Sequence, residues 1–261
     1  MRYKTKIISI VNQKGGVGKT TTACNLAYSL TEFSRKVLLL DMDSQANLSH
    51  TLAFKEDIKD NTTFELLTGQ KKLTELIQES RIKGIDIIPA KINLANVEKK
   101  TSDIENRDFI LKNSIEEVRS KLEYDFIIID CPPSLSIITV NSLFASDSIL
   151  IPTEPSIYST NGLSQLLDIV AMVRKKSSLD KSSLDIEGVL LTRVDSRTNI
   201  ADEFEKELRQ LFGNKIFDTI IHQNVAVAEA QKDQLPVGLY DEQARSSKEY
   251  INLAKEVIAN E

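Results

Sequence analysis

Two cysteines and two histidines are all that 261 residues supply of the side chains that build disulfides and zinc sites. Cys24 and Cys131 form no close pair, with only His50 and His222 for company, so neither a disulfide framework nor a zinc site is indicated and both thiols are expected to be reduced and structural. Long apolar runs are missing as well. The longest, such as Ile169 to Val173, Phe126 to Ile129 and Val37 to Leu40, fall far short of the ~20 residues that span a bilayer. The N-terminal stretch Ile7 to Val11 is interrupted by Ser9 and stops at Asn12, too short for a signal-peptide core, which makes the cytoplasm the expected location. Neither sign of charge dominates: 33 Lys and Arg against 38 Asp and Glu leave a net charge of -5. That balance does not suggest a constitutive nucleic-acid binder, although folding can still gather a local basic patch. No internal repeat, low-complexity tract or Pro/Gly/Ser linker divides the chain, so residues 1–261 are expected to form a single domain with a full core.

What the sequence does contain is alternation. Short runs rich in Ile, Val and Leu recur at Lys6 to Val11, Lys36 to Asp41, Ile85 to Pro89, Phe126 to Asp130, Ser148 to Pro152, Gly188 to Val194 and Ile216 to Ile221, and read as strands buried on both faces. Segments with helical spacing lie between them, including Thr20 to Phe33, Arg107 to Leu122, Leu163 to Lys175, Ala201 to Phe212 and Lys248 to Ile258. This order predicts an α/β fold: one doubly wound, mostly parallel sheet flanked by helices on both faces.

The first predicted strand runs into Asn12-Gln13-Lys14-Gly15-Gly16-Val17-Gly18-Lys19-Thr20-Thr21, which opens the first predicted helix. That is the setting of a phosphate-binding loop. Glycines let successive backbone N–H groups turn inward around phosphate oxygens, Lys19 adds a point charge, and the Thr20 hydroxyl at the helix N-terminus can ligate magnesium. A nucleoside triphosphate with Mg2+ is therefore the expected ligand. The first glycine of the usual G-x-x-x-x-G-K-[ST] pattern is replaced by Gln13, and a second lysine, Lys14, follows it.

With that departure, Lys14-Gly15-Gly16-Val17-Gly18-Lys19-Thr20 resembles the deviant Walker A motif of the ParA/MinD family of P-loop ATPases. The resemblance implies an ATPase whose extra lysine reaches the nucleotide of a partner subunit. Lys14 would then help to close a homodimer around two ATP molecules and complete the catalytic site. On this reading Lys14, Gly15, Gly16, Val17, Gly18, Lys19, Thr20 and Thr21 bind nucleotide, and Lys14 and Lys19 also stabilise charge during hydrolysis.

Two carboxylate motifs sit at predicted strand ends, where open α/β sheets place their ligand crevice. In Leu40-Asp41-Met42-Asp43-Ser44-Gln45-Ala46-Asn47, Asp43 matches the family's water-orienting aspartate, and a turn-forming role is the alternative. The family commonly has Pro and Gly at the positions of Ser44 and Ala46. In Phe126-Ile127-Ile128-Ile129-Asp130-Cys131-Pro132-Pro133, Asp130 reads as the Walker B carboxylate that, with Thr20, holds the magnesium shell. Cys131 and the paired prolines form a switch-like segment. An iron-sulfur reductase of the same superfamily would also place a cysteine here, but the glycine-rich ligand segments of that group are missing.

The resemblance covers nearly the whole chain. Ile221-His222-Gln223-Asn224-Val225 is similar to the family's I-P-R-N-V stretch, which makes Asn224 an adenine contact; a helix N-cap is the alternative and excludes nothing. Partition-type members bind DNA without sequence preference, and Arg197 and Arg245 match arginines proposed for that surface. Surface salt bridging is the competing reading for both. Arginines that flank the family's asparagine are replaced here by Gln223 and Ala226, and from Arg193 to Glu261 there are 9 Lys and Arg against 13 Asp and Glu. The competing function is that of a MinD-like ATPase on a membrane surface. Its basic amphipathic tail is not matched by Ser247 to Ile258, whose charges balance and which lacks Phe or Trp wedges, so no stable membrane association is expected and the tail should pack on the sheet. A non-switching P-loop ligase or kinase is a third possibility. The first predicted strand starts within about six residues, so no N-terminal helix-turn-helix is expected. The resemblance further implies a ParB-like activator protein and association with the nucleoid when ATP is bound.

Overall fold

The computed structural model describes residues 5–54, 58–155, 159–177, 184–195, 197 and 200–261. Eight strands form one sheet: β1 (Lys6–Ile10), β2 (Val37–Asp41), β3 (Gln78–Glu79), β4 (Ile85–Ile88), β5 (Phe126–Asp130), β6 (Ser148–Thr153), β7 (Asp185–Val194) and β8 (Ile216–His222), in the order β3-β4-β2-β5-β1-β6-β7-β8. Every pairing is parallel except that of β3 with β4. β2, β5 and β6 are buried along their whole length, which is why their sequences read as unbroken apolar runs rather than as alternation. β3 was not foreseen, since two polar residues at an edge carry no hydrophobic signal.

Successive residues of each strand supply opposite layers. Ile7, Leu38, Leu40, Ile127, Ile129, Ile149 and Ile151 face one core, which Leu163, Leu166, Val170 and Val173 of the helix Ser159–Ser177 and Phe204, Leu208 and Phe212 of the helix Ile200–Phe212 help to fill. Ile8, Ile10, Val37, Leu39, Phe126, Ile128 and Leu150 face the other, against Ala23, Leu26, Ala27 and Leu30 of the helix Lys19–Thr31. The last helix, Arg245–Ala259, joins this second layer through Tyr250, Leu253, Ala254 and Val257, as expected of a tail packed on the fold. No helix among the described residues is long and apolar enough to cross a membrane.

Two helical segments depart from the expectation. The predicted helix Arg107 to Leu122 is three pieces: a 3-10 turn Arg107–Phe109, an α-helix Ile110–Glu116 and a 3-10 turn Arg119–Lys121. Arg119 breaks it, because its buried guanidinium donates to Thr5 O at 2.6 Å and pairs with Asp147, anchoring the segment beneath β1. Conversely, Ile137–Ala145 is a helix that no periodicity announced. All of its residues but Val140 are buried, so no polar stripe marks a helical period.

Both cysteines are free and buried, and burial pushes each thiol up to about 12. Only about one thiol in ten thousand would then be ionised at pH 8. We expect no reaction with a thiol-specific chromogenic disulfide at that pH until denaturant is added; a stoichiometric reaction of the native protein would contradict the burial.

Candidate functional site

β1 lies between β5 and β6, so the chain leaves the centre of the sheet in two directions and a crevice opens beyond the C-terminal ends of the middle strands. The loop from Val11 to Gly18 occupies it. Gly16 (φ 77) and Gly18 (φ 85) adopt the left-handed conformation that glycine tolerates best, and Gly18 caps the helix Lys19–Thr31 with no side-chain hydrogen bond. The first N–H groups of the helix therefore face the crevice as anion donors. Asn12 ties the loop to the sheet, donating to Pro152 O at 2.7 Å and accepting from Lys14 N at 2.9 Å.

A cleft of about 820 Å³ opens over this loop. Gly15, Gly16, Gly18, Lys19, Thr20 and Thr21 line one end, and Gln223, Asn224, Gln231 and Gln234 bring amide groups to it. Asp43 also lines the cleft. The buried Lys19 ammonium donates to Lys14 O at 3.1 Å, and burial draws its pKa below the usual lysine value against the opposing pull of Asp130, Cys131 and Asp43. A phosphate there would restore the counter-charge that burial withholds.

Asp41 and Asp130 are register partners on β2 and β5, and both are buried. Their environments differ. Asp41 accepts from Ser49 N at 2.8 Å, Ser49 Oγ at 2.6 Å and Asp43 N at 3.1 Å, yet burial still raises its pKa to about 6. Neither oxygen of Asp130 has a hydrogen-bond partner among the described residues, although Thr20 and Lys19 are near enough to pull against burial and the Asp41 charge, which together hold its pKa well above the carboxylate range. An unsatisfied buried carboxylate beside the Thr20 hydroxyl is the donor set a magnesium ion fits: hard oxygen ligands, with room left for water and phosphate.

Asp43 is held at the turn that follows β2. Its Oδ1 accepts from Gln45 N at 3.0 Å, so the turn-forming role is present while the side chain still lines the cleft. Ala46, where the family commonly has glycine, is left-handed here (φ 54). Asn224 likewise shows its alternative role, accepting from Ala226 N at 2.9 Å as N-cap of the helix Val225–Lys232, and it too lines the cleft. The Lys14 side chain is 40% exposed, and its ammonium lies 3.5 Å from Glu154, just past β6. Val17 is buried beneath the loop.

The candidate DNA arginines are both in ion pairs. Arg197, 85% exposed, clasps Asp195 through Nε at 2.8 Å and Nη2 at 2.6 Å, and these bonds hold the Asp195 carboxyl down to about 2. Arg245 donates to Glu249 at 2.7 Å, and Glu249 also accepts from His222 Nδ1 at 2.7 Å. Sequence reasoning assigned no role to Thr192, Arg193, Glu154 or His222. The contacts of Thr192 and Arg193 with the phosphate loop span 175 and 177 residues, a separation at which only the fold brings the groups together.

A family profile described as an AAA domain matches residues 5–186. Over 255 residues the chain is 42% identical to the sporulation initiation inhibitor protein Soj of Bacillus subtilis (strain 168), covering 98% of this chain and 99% of that protein. The chain belongs to the ParA/Soj family of partition ATPases. It is 37% identical over 256 residues to the chromosome partitioning protein ParA of Caulobacter vibrioides (strain NA1000 / CB15N), covering 98% of this chain and 95% of that one. Among solved structures, cobyrinic acid a,c-diamide synthase from Mycobacterium smegmatis with a bound ATP analogue and magnesium superposes with a TM-score of 0.83 at 26% identity, over 98% of this chain and 95% of that one. The ParA/Soj family and the P-loop α/β fold thus stand together, as the deviant loop implied.

Proposed function

We propose that this ParA/Soj-family ATPase hydrolyses Mg-ATP to ADP and phosphate, closes as a homodimer around two nucleotides, and couples that cycle to reversible, sequence-nonspecific DNA binding in chromosome or plasmid partition. The observation that carries the dimer is the placement of Lys14. Its ammonium pairs with Glu154 at 3.5 Å on a side chain that is 40% exposed, so that partner can be exchanged for the phosphate of a second subunit's nucleotide. An exposed ion pair of this kind is worth about 0.2–1 kcal/mol, and a charge-assisted phosphate contact about 1.5–3, so a partner's nucleotide would win Lys14 from Glu154.

Within each subunit, the N–H groups of Gly15 to Thr20 and the Lys19 ammonium hold the phosphates. Thr20 and Asp130 hold Mg2+, which supplies electrostatic stabilisation of the transferring phosphoryl group. Asp43 orients the attacking water, and Asn224 with its neighbouring amides receives the adenine. ATP would organise the DNA surface by bringing two copies of Arg197 and Arg245 together. Each arginine is paired locally, Arg197 with Asp195 and Arg245 with Glu249, so contact with DNA would exchange those carboxylates for phosphate oxygens. A ParB-like activator would accelerate hydrolysis and reset the dimer, with the protein cytoplasmic and on the nucleoid only in its ATP form. The packing of Tyr250, Leu253 and Val257 against the fold disfavours use of the last helix as a MinD-like membrane anchor.

Replacing both Arg197 and Arg245 with Glu tests the surface. The change reverses four charges per dimer, two on each subunit, so DNA retention in the presence of ATP should fall at least tenfold at moderate salt, with ATP affinity unaltered. Unchanged retention in a filter-binding assay would move the DNA surface elsewhere.

A further inference from the structure

Adjacent residues of a strand point to opposite faces, yet Thr192 and Arg193 near the end of β7 both reach the phosphate loop. Thr192 Oγ1, buried, donates to Val17 O at 2.8 Å, and Arg193 Nη1 donates to Gly16 O at 3.0 Å. The backbone explains how. Arg193 has φ 53, the left-handed conformation that disfavours side chains with a Cβ, and the β7–β8 register shifts between Leu191 and Val194. The bulge cancels the alternation at this one step and turns both side chains onto consecutive carbonyls of the same loop. A strained arginine in the wall of the cleft is where structures store conformational cost for function.

We propose that Thr192 and Arg193 are positioning residues: a two-point clamp that presets the phosphate loop for nucleotide. The peptide unit is planar and trans, so its C=O and the following N–H point in opposite directions. Holding Gly16 O and Val17 O toward β7 aims the N–H groups of Val17 and Gly18 the other way, to the inner side of the loop where phosphate oxygens would lie. The clamp removes the cost of turning two peptides when the phosphates arrive, and its benefit falls on the phosphates beyond the first rather than on adenosine. Gly16, at φ 77, adopts the left-handed conformation in which its carbonyl meets Arg193.

This inference rests on the nucleotide site described above, and calorimetric titration of the full chain separates the two. Thr192→Val removes the donor at constant shape, and Arg193→Gly removes the guanidinium while accepting φ 53 without strain. Each should weaken ADP and ATP binding about tenfold, as the loss of one well-placed hydrogen bond does, and leave AMP affinity within about twofold. Thr192→Ser should restore ADP affinity. The melting temperature without nucleotide should change little in Thr192→Ser and Arg193→Gly, which guards against a folding defect. If wild type binds ADP and the variants bind it equally well, or lose ADP and AMP affinity in the same proportion, the clamp is refuted; if wild type binds no nucleotide, the site itself is refuted and the clamp with it.

Discussion

Lys14→Ala is expected to bind ATP as tightly as wild type and yet remain a monomer in its presence, by light scattering. Lys19 is the buried lysine of the phosphate loop and Lys14 the half-exposed one, so removal of Lys14 should spare nucleotide binding by one subunit. Each dimer would lose two charge-assisted phosphate contacts, about 3–6 kcal/mol together, which weakens dimerisation by roughly two to four orders of magnitude. Glu154→Gln should act in the opposite direction: it releases each Lys14 from a pair worth about 0.2–1 kcal/mol and, with two such pairs per dimer, favours the dimer by at most about thirtyfold. A dimer unaltered by Lys14→Ala would remove the sandwich role. A loss of ATP affinity equal to the loss of dimer would instead place Lys14 on its own nucleotide.

The second large effect is on turnover. Asp43→Ala should lower phosphate release by about 100-fold or more, the range in which a lost proton-handling or water-orienting group falls, while ATP continues to hold the dimer together. Asp43→Asn separates the two roles of this residue. Its side-chain oxygen can still accept from Gln45 N and preserve the turn, so a slow Asp43→Asn with normal ATP affinity assigns the defect to the missing charge. Rapid phosphate release by both variants would leave Asp43 as a turn former only.

The parts of this architecture visible in the sequence share one physical cause. β2, β5 and β6 are buried on both faces and leave continuous apolar runs, and Asp41 and Asp130 end two of those runs, which is how the carboxylates beside the cleft were found. The phosphate loop was legible because its conformational demands are local: Gly16 and Gly18 need positive φ, and Lys19 and Thr20 must follow at once. Features that depend on distant groups were not. The break at Arg119 is made by Thr5 and Asp147, the pairing of Lys14 with Glu154 spans the sheet between β1 and β6, and nothing at Arg193 announces a left-handed arginine. The helix Ile137–Ala145 escaped for the opposite reason, since near-complete burial erased the polar face that marks a period. The pairing of the arginines was legible by contrast, because Asp195 and Glu249 lie only two and four residues from Arg197 and Arg245, and salt bridging was the competing reading for both.

The central claim is a DNA-binding switch thrown by ATP, and sedimentation of the purified protein with nonspecific duplex DNA or with anionic liposomes, each with ATP, ADP or no nucleotide at low and moderate salt, tests it most directly. Capture on DNA with ATP alone, weakening steeply as salt rises, and no capture on liposomes are the expected results. ATP-dependent capture on liposomes without DNA capture would contradict it and make the protein a membrane-surface positioner, and DNA capture indifferent to nucleotide would break the link between the phosphate loop and the DNA surface.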